Sequence, residues 1–333
     1  MLLNSFKNVR NIGRFSHVAS KSLGIIGVPF CKGQEKNGVE ETPRILRKAG
    51  LIDILQERIL VNDYGDLEIQ EITLKNKELQ NMKNYGEFQG CSISLIQKVQ
   101  DILKENDVYL AIGGDHSIGF GSIAGHLQVN PNTSVIWIDA HPDINLNTTS
   151  VSGNIHGMPV ALLIQEVRRL WAGLNVHEIG PVGLPAKELV YIGLRDIDPY
   201  EAYILKKLGI KFFSMDAVDK YGIAKILEMS LDAINSFNKL HISFDIDALD
   251  ISIAPSTGTP VLGGLTLREG MYIMESLCET NRIEGVDFVE LNPKIGTQHQ
   301  SESTLSAGLE IIKSIFGYKR SGNICSKLKM LDL

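Results

Sequence analysis

Ser134-Val135-Ile136-Trp137-Ile138-Asp139-Ala140-His141-Pro142-Asp143 is the stretch whose reading decides how this chain folds. The apolar run 134–138 has the length and the polar bounds of a buried strand. Directly after it, Asp139, His141 and Asp143 place three metal-capable side chains at alternate positions. Extended backbone sends alternate side chains to the same side, so the three point toward one place.

Two further apolar runs end in the same way. His241-Ile-Ser-Phe-Asp245-Ile-Asp247 finishes in two carboxylates spaced by two, and the run 108–112 leads into Gly113-Gly114-Asp115-His116. A lone Asp-x-Asp at a strand end is usually a turn or a helix cap, and a lone histidine there is usually a hydrogen-bonded structural residue. Read together, those explanations fail. They would require three strands to end in buried charge, with no lysine or arginine beside the carboxylates to compensate. His116, Asp139, His141, Asp143, Asp245 and Asp247 are too many ligands for one ion and suit two that share bridging carboxylates. Four carboxylates and two imidazoles without a thiolate favour a fairly hard divalent ion, Mn²⁺ ahead of Fe²⁺, Co²⁺, Ni²⁺ and Zn²⁺. Two ions sharing a water would hold a hydroxide ready near neutral pH, so the chemistry indicated is metal-assisted hydrolysis.

The rest of the chain narrows the class. Its 333 residues, 44% of them hydrophobic and 22% charged, have the composition of a globular protein. A net charge of −6, with no basic stripe, argues against a nucleic-acid partner. No apolar run approaches the ~20 residues that span a bilayer, so no membrane partner is expected. Cys31, Cys91, Cys278 and Cys325 show no CxxC spacing and read as free thiols in a reducing compartment. Residues 1–34 carry Lys7, Arg10, Arg14, Lys21 and Lys32 but no acid before Glu35. That composition, with an apolar helical face from Leu2 to Phe15, is that of a mitochondrial transit peptide. The expected location is therefore mitochondrial, and cytoplasmic otherwise.

Strand-like runs recur at 23–28, 58–61, 108–112, 134–138, 189–192, 211–213, 240–244 and 285–289. Helical patterns at 42–56, 92–104, 117–126, 158–170, 223–235, 265–278 and 302–316 lie between most of them. Thr42 reads as an N-cap with Pro43 at the first helical position. Alternation of this kind predicts one α/β domain with a largely parallel sheet covered on both faces. Ligands of such sheets bind at the carboxyl ends of the strands, where all three clusters fall. The segment 144–157 has neither period and is dense in hydroxyls and amides, neutral donors suited to a carboxylate and an amine. Thr257, Gly258, Thr259, Gly263 and Gly264 form a comparable turn after the Asp245 strand, and Glu290 ends the last strand, where a carboxylate can pair bidentately with a planar guanidinium.

These residues together resemble the ureohydrolases, and within them the arginases of the mitochondrial animal type. The resemblance runs from about Leu23 to Gly322. It rests on Gly113-Gly-Asp115-His116-Ser, Asp139-Ala-His141-x-Asp143-Ile-Asn145, Ser152-Gly-Asn-x-His156-Gly, Gly193-Leu-Arg-Asp-x-Asp198-Pro, Ser243-Phe-Asp245-x-Asp247 and Thr257-Gly-Thr259-Pro-Val, in the family's order. It implies a three-layer α/β/α fold with a central, mostly parallel eight-stranded sheet, and two Mn²⁺ per subunit. It implies cleavage of L-arginine to L-ornithine and urea by a metal-bridging hydroxide, usually in a homotrimer. The layout it implies is a leader at 1–22, one domain at 23–322 and a tail at 323–333.

By the same resemblance, His116, Asp139, Asp143 and Asp245 match ligands of one ion or both, and His141 and Asp247 ligands of the second. Asn145, Ser152 and Asp198 match residues that hold the amino-acid end of the substrate, with Glu201 and Ser150 as weaker or water-mediated contacts. His156 matches the proton shuttle, Thr259 and Glu290 the residues near the guanidinium, and Asp143 and Glu290 join His156 as catalytic groups. Arg268, Glu269 and Arg320 match positions of inter-subunit ion pairs. The chain departs from the family at Pro142, which can shift His141 or Asp143, at Leu146-Asn147, at Ser150 and at Ile251. The alternatives are an agmatinase or another guanidino-substrate ureohydrolase, and a catalytically silent relative kept as a binding protein.

Overall fold

The computed structural model describes residues 21–72, 81–180 and 182–321. All eight expected runs are strands: β1 (Ser22–Val28), β2 (Leu60–Asp66), β3 (Val108–Gly113), β4 (Thr133–Ile138), β5 (Leu189–Leu194), β6 (Lys211–Ser214), β7 (Lys239–Asp245) and β8 (Ile283–Val289). They form a single parallel sheet in the order β2-β1-β3-β8-β7-β4-β5-β6. β3, β4 and β5 are buried along their whole length, the pattern of strands covered on both faces.

The helices are α1 (Thr42–Lys48), α2 (Leu51–Gln56), α3 (Tyr85–Glu105), α4 (Ile118–Val129), α5 (Pro159–Leu163), α6 (Pro199–Leu208), α7 (Met215–Tyr221), α8 (Ile223–Asp232), α9 (Leu267–Glu279) and α10 (Gln298–Ile315). Alternate strand residues feed two separate cores. Tyr109, Ala111, Val135, Trp137 and Tyr191 pack with α3, α4, α5 and α6, whereas Leu110, Ile112, Ile136, Ile138 and Val190 pack with α1, α2 and α7 to α10. The result is the expected three-layer α/β/α arrangement. In α4, Gly125 lets the helix press on α3: a Cβ there would stand 2.9 Å from the Ile96 carbonyl oxygen.

Several boundaries differ from the sequence reading. The pattern at 42–56 is two helices, because Gly50 takes a left-handed φ of 86° that ends the first. Thr42 is not the cap. Glu41 holds that position, and the Thr42 hydroxyl donates to the Leu291 carbonyl instead. The pattern at 158–170 is α-helical only over Pro159–Leu163, with a single 3-10 turn at Arg168–Leu170. Ile164 then bridges to Leu184, and the buried Arg168 guanidinium gathers the carbonyls of Leu162, Gly180 and Val182. α6 and α7 fall outside the helical patterns of the sequence. Ser22, assigned to the leader, opens β1; the remainder of the leader to residue 20, the tail 323–333 and Cys325 lie outside the described residues. Cys31, Cys91 and Cys278 are free thiols. Among the described residues no helix is long and apolar enough to cross a membrane.

Candidate metal centre and substrate cavity

The chain steps from β3 past two sheet positions to β4, and β8 and β7 later fill that gap. The carboxyl ends of these four central strands meet at the topological switch point, where ligands of open α/β sheets bind. After β3, Gly114 allows the turn to lie against the chain beyond β1, since a Cβ there would stand 1.9 Å from the Phe30 carbonyl oxygen. Backbone bonds from Gly114 to Val28 and from Asp115 to Phe30 secure it and turn His116 inward.

The expected ligands converge. Nδ1 of His116 lies 2.9 Å from Asp139 Oδ2, 3.1 Å from Asp245 Oδ2 and 3.3 Å from Asp143 Oδ2. Nδ1 of His141 lies 3.2 Å from Asp247 Oδ2 and 3.4 Å from Asp139 Oδ1. His116, Asp139 and Asp143 form one group able to hold a metal ion, and Asp139, His141 and Asp247 a second that shares Asp139. The His116 ring stacks on Trp137 at 3.9 Å, and the indole N–H donates to Asp139 Oδ2 at 2.9 Å, which fixes both groups. Pro142 does not displace its neighbours from these groups, and its carbonyl accepts from the Tyr191 hydroxyl. Asp143 takes a left-handed φ of 49°, a conformation costing about 1–3 kcal/mol in a non-glycine residue.

The donor chemistry fits divalent metal. Burial and then neighbouring carboxylates push the Asp143 and Asp245 carboxyls well above the usual range. Burial opposes the Asp139 charge too, but His116 and His141 outweigh it and hold that carboxyl low. Among the described residues no lysine or arginine forms an ion pair with these acids; their direct partners are the imidazoles, with Arg195 acting on Asp247, Asp139 and Asp245 only at longer range. His116 Nδ1 is buried and makes no hydrogen bond although three carboxylate oxygens surround it. An unpartnered nitrogen inside a cage of acceptors is the arrangement a cation completes.

A cavity of about 310 Å³ opens above, lined by His141, Asp143, Asp245, Asn145, Ser150, Ser152, His156, Asp198, Glu201 and Thr259, among others. Of the expected site residues only His116, Asp139, Asp247 and Glu290 do not line it. Ser150 Oγ accepts from Gly153 N–H and Ser152 Oγ from Asn154 N–H, which leaves each O–H to donate into the cavity. The Asn145 amide donates to Asp198 Oδ2 at 3.0 Å, while its oxygen accepts from Thr149. Glu201 is nearly buried, and its oxygens accept from the Ile144 and Asp198 N–H groups, anchoring the loop and the start of α6; burial lifts its carboxyl to about 7. Leu146 packs in the core, and Asn147 turns to the Ala172 carbonyl, so neither of these departures faces the cavity.

Glu290 is placed differently from the other expected residues. It is 1% exposed and lies behind the wall, again in a left-handed conformation, with φ 63°. Oε1 accepts from His116 N–H at 2.9 Å and faces His156 Nδ1 at 3.0 Å, and Oε2 accepts from Gln34 at 2.7 Å. Bidentate pairing with a guanidinium would mean exchanging these partners. Burial disfavours a charged His156, but Glu290, Asp143 and Asp115 outweigh it and raise the imidazole to about 9. The sequence reading missed Gln34, Asp196 and Asn154. Asp196 and Asn154 line the cavity inside motifs already quoted, whereas Gln34 carries no local signal and meets Glu290 only through the fold.

Comparison with known proteins agrees with this geometry. The Arginase family profile matches residues 21–317. Arginase-1 of Homo sapiens is 46% identical over 308 residues, 91% of this chain and 95% of that protein. The hepatic arginase of Aquarana catesbeiana is 45% identical over 322 residues, 96% of this chain and 99% of that protein. The crystal structure of Entamoeba histolytica arginase in complex with L-ornithine superposes with a TM-score of 0.80 at 34% identity, covering 90% of this chain and 99% of that one. Sequence, sheet topology and the gathering of six metal-capable side chains thus converge on one assignment: the chain belongs to the arginase family.

Proposed function

We propose that this enzyme hydrolyses L-arginine to L-ornithine and urea with two Mn²⁺ ions per subunit. The observation that carries the reading is the seating of two adjoining ligand groups below a cavity whose wall offers Asn145, Ser150, Ser152 and Asp198. His116, Asp139, Asp143 and Asp245 would hold one ion, and Asp139, His141 and Asp247, with Asp143 and Asp245 beside them, the other. Divalent ions there supply Lewis-acid chemistry, bringing the pKa of water toward neutrality.

The chain's own groups do the rest. The Ser150 and Ser152 hydroxyls and the Asn145 amide hold the α-carboxylate, and Asp198 takes the α-amino group, directly or through water. Glu201 keeps the two backbone segments that carry them in register. Thr259, which donates to Asp247 Oδ2, and Glu290, through His156, stand at the guanidinium end. Water oxygen bonds to the guanidinium carbon as the bond from that carbon to the ornithine nitrogen breaks. His156, whose imidazole Glu290 raises above its ordinary value, gives its proton to the departing nitrogen, and of the two protons that water sheds one restores His156 and the other completes the ornithine ammonium. Its Nδ1 is engaged by Glu290, so Nε2 is the nitrogen presented to substrate.

Urea release from L-arginine by the Mn²⁺-loaded protein tests the reading, with His156→Ala keeping both ions yet losing ~10²–10⁴ of kcat. No urea from the fully loaded protein would overturn it. We also propose import into mitochondria, supported by the acid-free basic composition of residues 1–34 and checked by the location of a reporter fused to them. A homotrimer is proposed as well, to be checked by light scattering. Within one chain Arg320 pairs with Glu275 at 3.0 Å and Glu269 caps α9, so inter-subunit bonds of these residues would add to or replace bonds already present.

A further inference from the structure

Behind the metal-capable cluster runs a buried chain of polar side chains that the proposed reaction does not use. Nε2 of His116, the nitrogen turned away from the carboxylates, lies 2.9 Å from Ser243 Oγ. Ser243 Oγ is 3.3 Å from Asp287 Oδ2, which also accepts from His241 Nε2 at 2.8 Å, and Asp287 Oδ1 accepts from the Ser122 hydroxyl. Beyond it, His241 Nδ1 faces the Tyr109 hydroxyl at 3.1 Å and His126 Nδ1 at 3.3 Å. His116, Ser122, His126, His241, Ser243 and Asp287 are all 0% exposed.

The direction of this chain follows from counting protons. Three donors converge on the two oxygens of Asp287, which leaves it as acceptor only. The single hydrogen of the Ser243 hydroxyl therefore goes to Asp287, and Ser243 offers His116 a lone pair. His116 must then carry its proton on Nε2, which leaves a lone pair on Nδ1, the nitrogen set among Asp139, Asp143 and Asp245. With the proton on Nδ1 the ring could not bind a cation at all.

We propose that Asp287, acting through Ser243, fixes the ring tautomer of His116 and is thereby a positioning residue for one of the two metal sites. The inference rests on the reading of His116 as a metal ligand. Partners of this kind behind a ligating histidine typically change metal affinity 10–100-fold. If instead the cluster only stabilised the sheet, its loss would weaken both metal sites together or neither.

The test titrates Mn²⁺ into the metal-free full-length chain by calorimetry, for the unmodified protein, Ser243→Ala, Asp287→Asn and the double variant. Each single variant should weaken one of the two binding events by ~10–100-fold and leave the other unchanged. The double variant should be no weaker than the weaker single, because both changes interrupt one path. Unchanged affinities, equal losses at both sites, or losses that multiply in the double variant would each overturn the proposal. Should Asp287→Asn not fold, Ser243→Ala, which removes one oxygen, decides alone: selective loss supports the relay and unchanged binding overturns it. An unmodified chain that binds no Mn²⁺ would bring down the metal assignment itself, a different result from two ions bound and indifferent to Ser243.

Discussion

One oxygen of Glu290, Oε1, accepts from the His116 backbone at 2.9 Å and meets His156 Nδ1 at 3.0 Å, so a buried carboxylate joins the cavity wall to the metal cluster. In the metal-free protein the His156 ring should therefore titrate near 9, and Glu290→Gln should bring it down, because the bond to Glu290 is the strongest influence raising it. The folded-state value lies above the ordinary 6.5, so this pairing stabilises the fold fully below that pH and the contribution is lost as pH rises through about 9. Imidazole signals followed by NMR check the titration. A variant that titrates like the unmodified chain would show that Glu290 is not the cause.

Alanine at Asp139, Asp143 or Asp245 should remove metal and activity together, since each loses an anion from a cluster in which Asp139 serves both groups. Asp139→Ala should be the most damaging of the three for that reason. Elemental analysis of the dialysed variants gives the count, and two ions retained in all three would contradict the assignment.

L-Arginine should be preferred strongly over agmatine, which has no α-carboxylate. The hydroxyls of Ser150 and Ser152 would then face nothing, and sites built to bond a polar group reject an analogue lacking it by ~10⁴-fold or more. Asp198→Ala should weaken arginine binding with both metals in place. Comparable kcat/KM for the two substrates would favour an agmatinase instead.

Gly125→Val should destabilise the fold by about 1–3 kcal/mol, because the added atoms meet the α3 backbone at Ile96, which cannot give way as a flexible side chain does. A shift of the urea midpoint in the metal-free protein measures it. An unshifted midpoint would mean that α3 and α4 can part without cost.

Much of the centre was readable because its ligands sit where the period changes, at the ends of wholly apolar strands such as 134–138. The sheet was legible for the same reason. Helix ends were less so: Gly50 stops a run that periodicity alone continues, and Ile164 leaves a helical pattern to bridge a residue twenty positions away. α6 does have a local signature in Asp198-Pro199-x-Glu201, the cap, the first-position proline and the acid of a helix start, but the same residues also match substrate contacts, which masks it. The position of Glu290 behind the wall depends on Gln34, 256 residues earlier, and the relay through Ser243 and Asp287 on partners in two strands and in the turn after a third. Such bonds belong to the assembled sheet and leave no local signature.

The strand order also sets a timetable for synthesis. β8 and β7, among the last strands made, lie between β3 and β4, so the middle of the sheet stays open until the chain is nearly finished. At ~5–20 residues per second, β3 waits roughly ten to thirty-five seconds for β8 to emerge beside it. Until then nothing fixes the spacing between the end of β3, which leads into His116, and the end of β4, which leads into Asp139. The groups that gather His116 with Asp139 and His141 with Asp247 therefore draw on both sides of a gap that only the last two strands close.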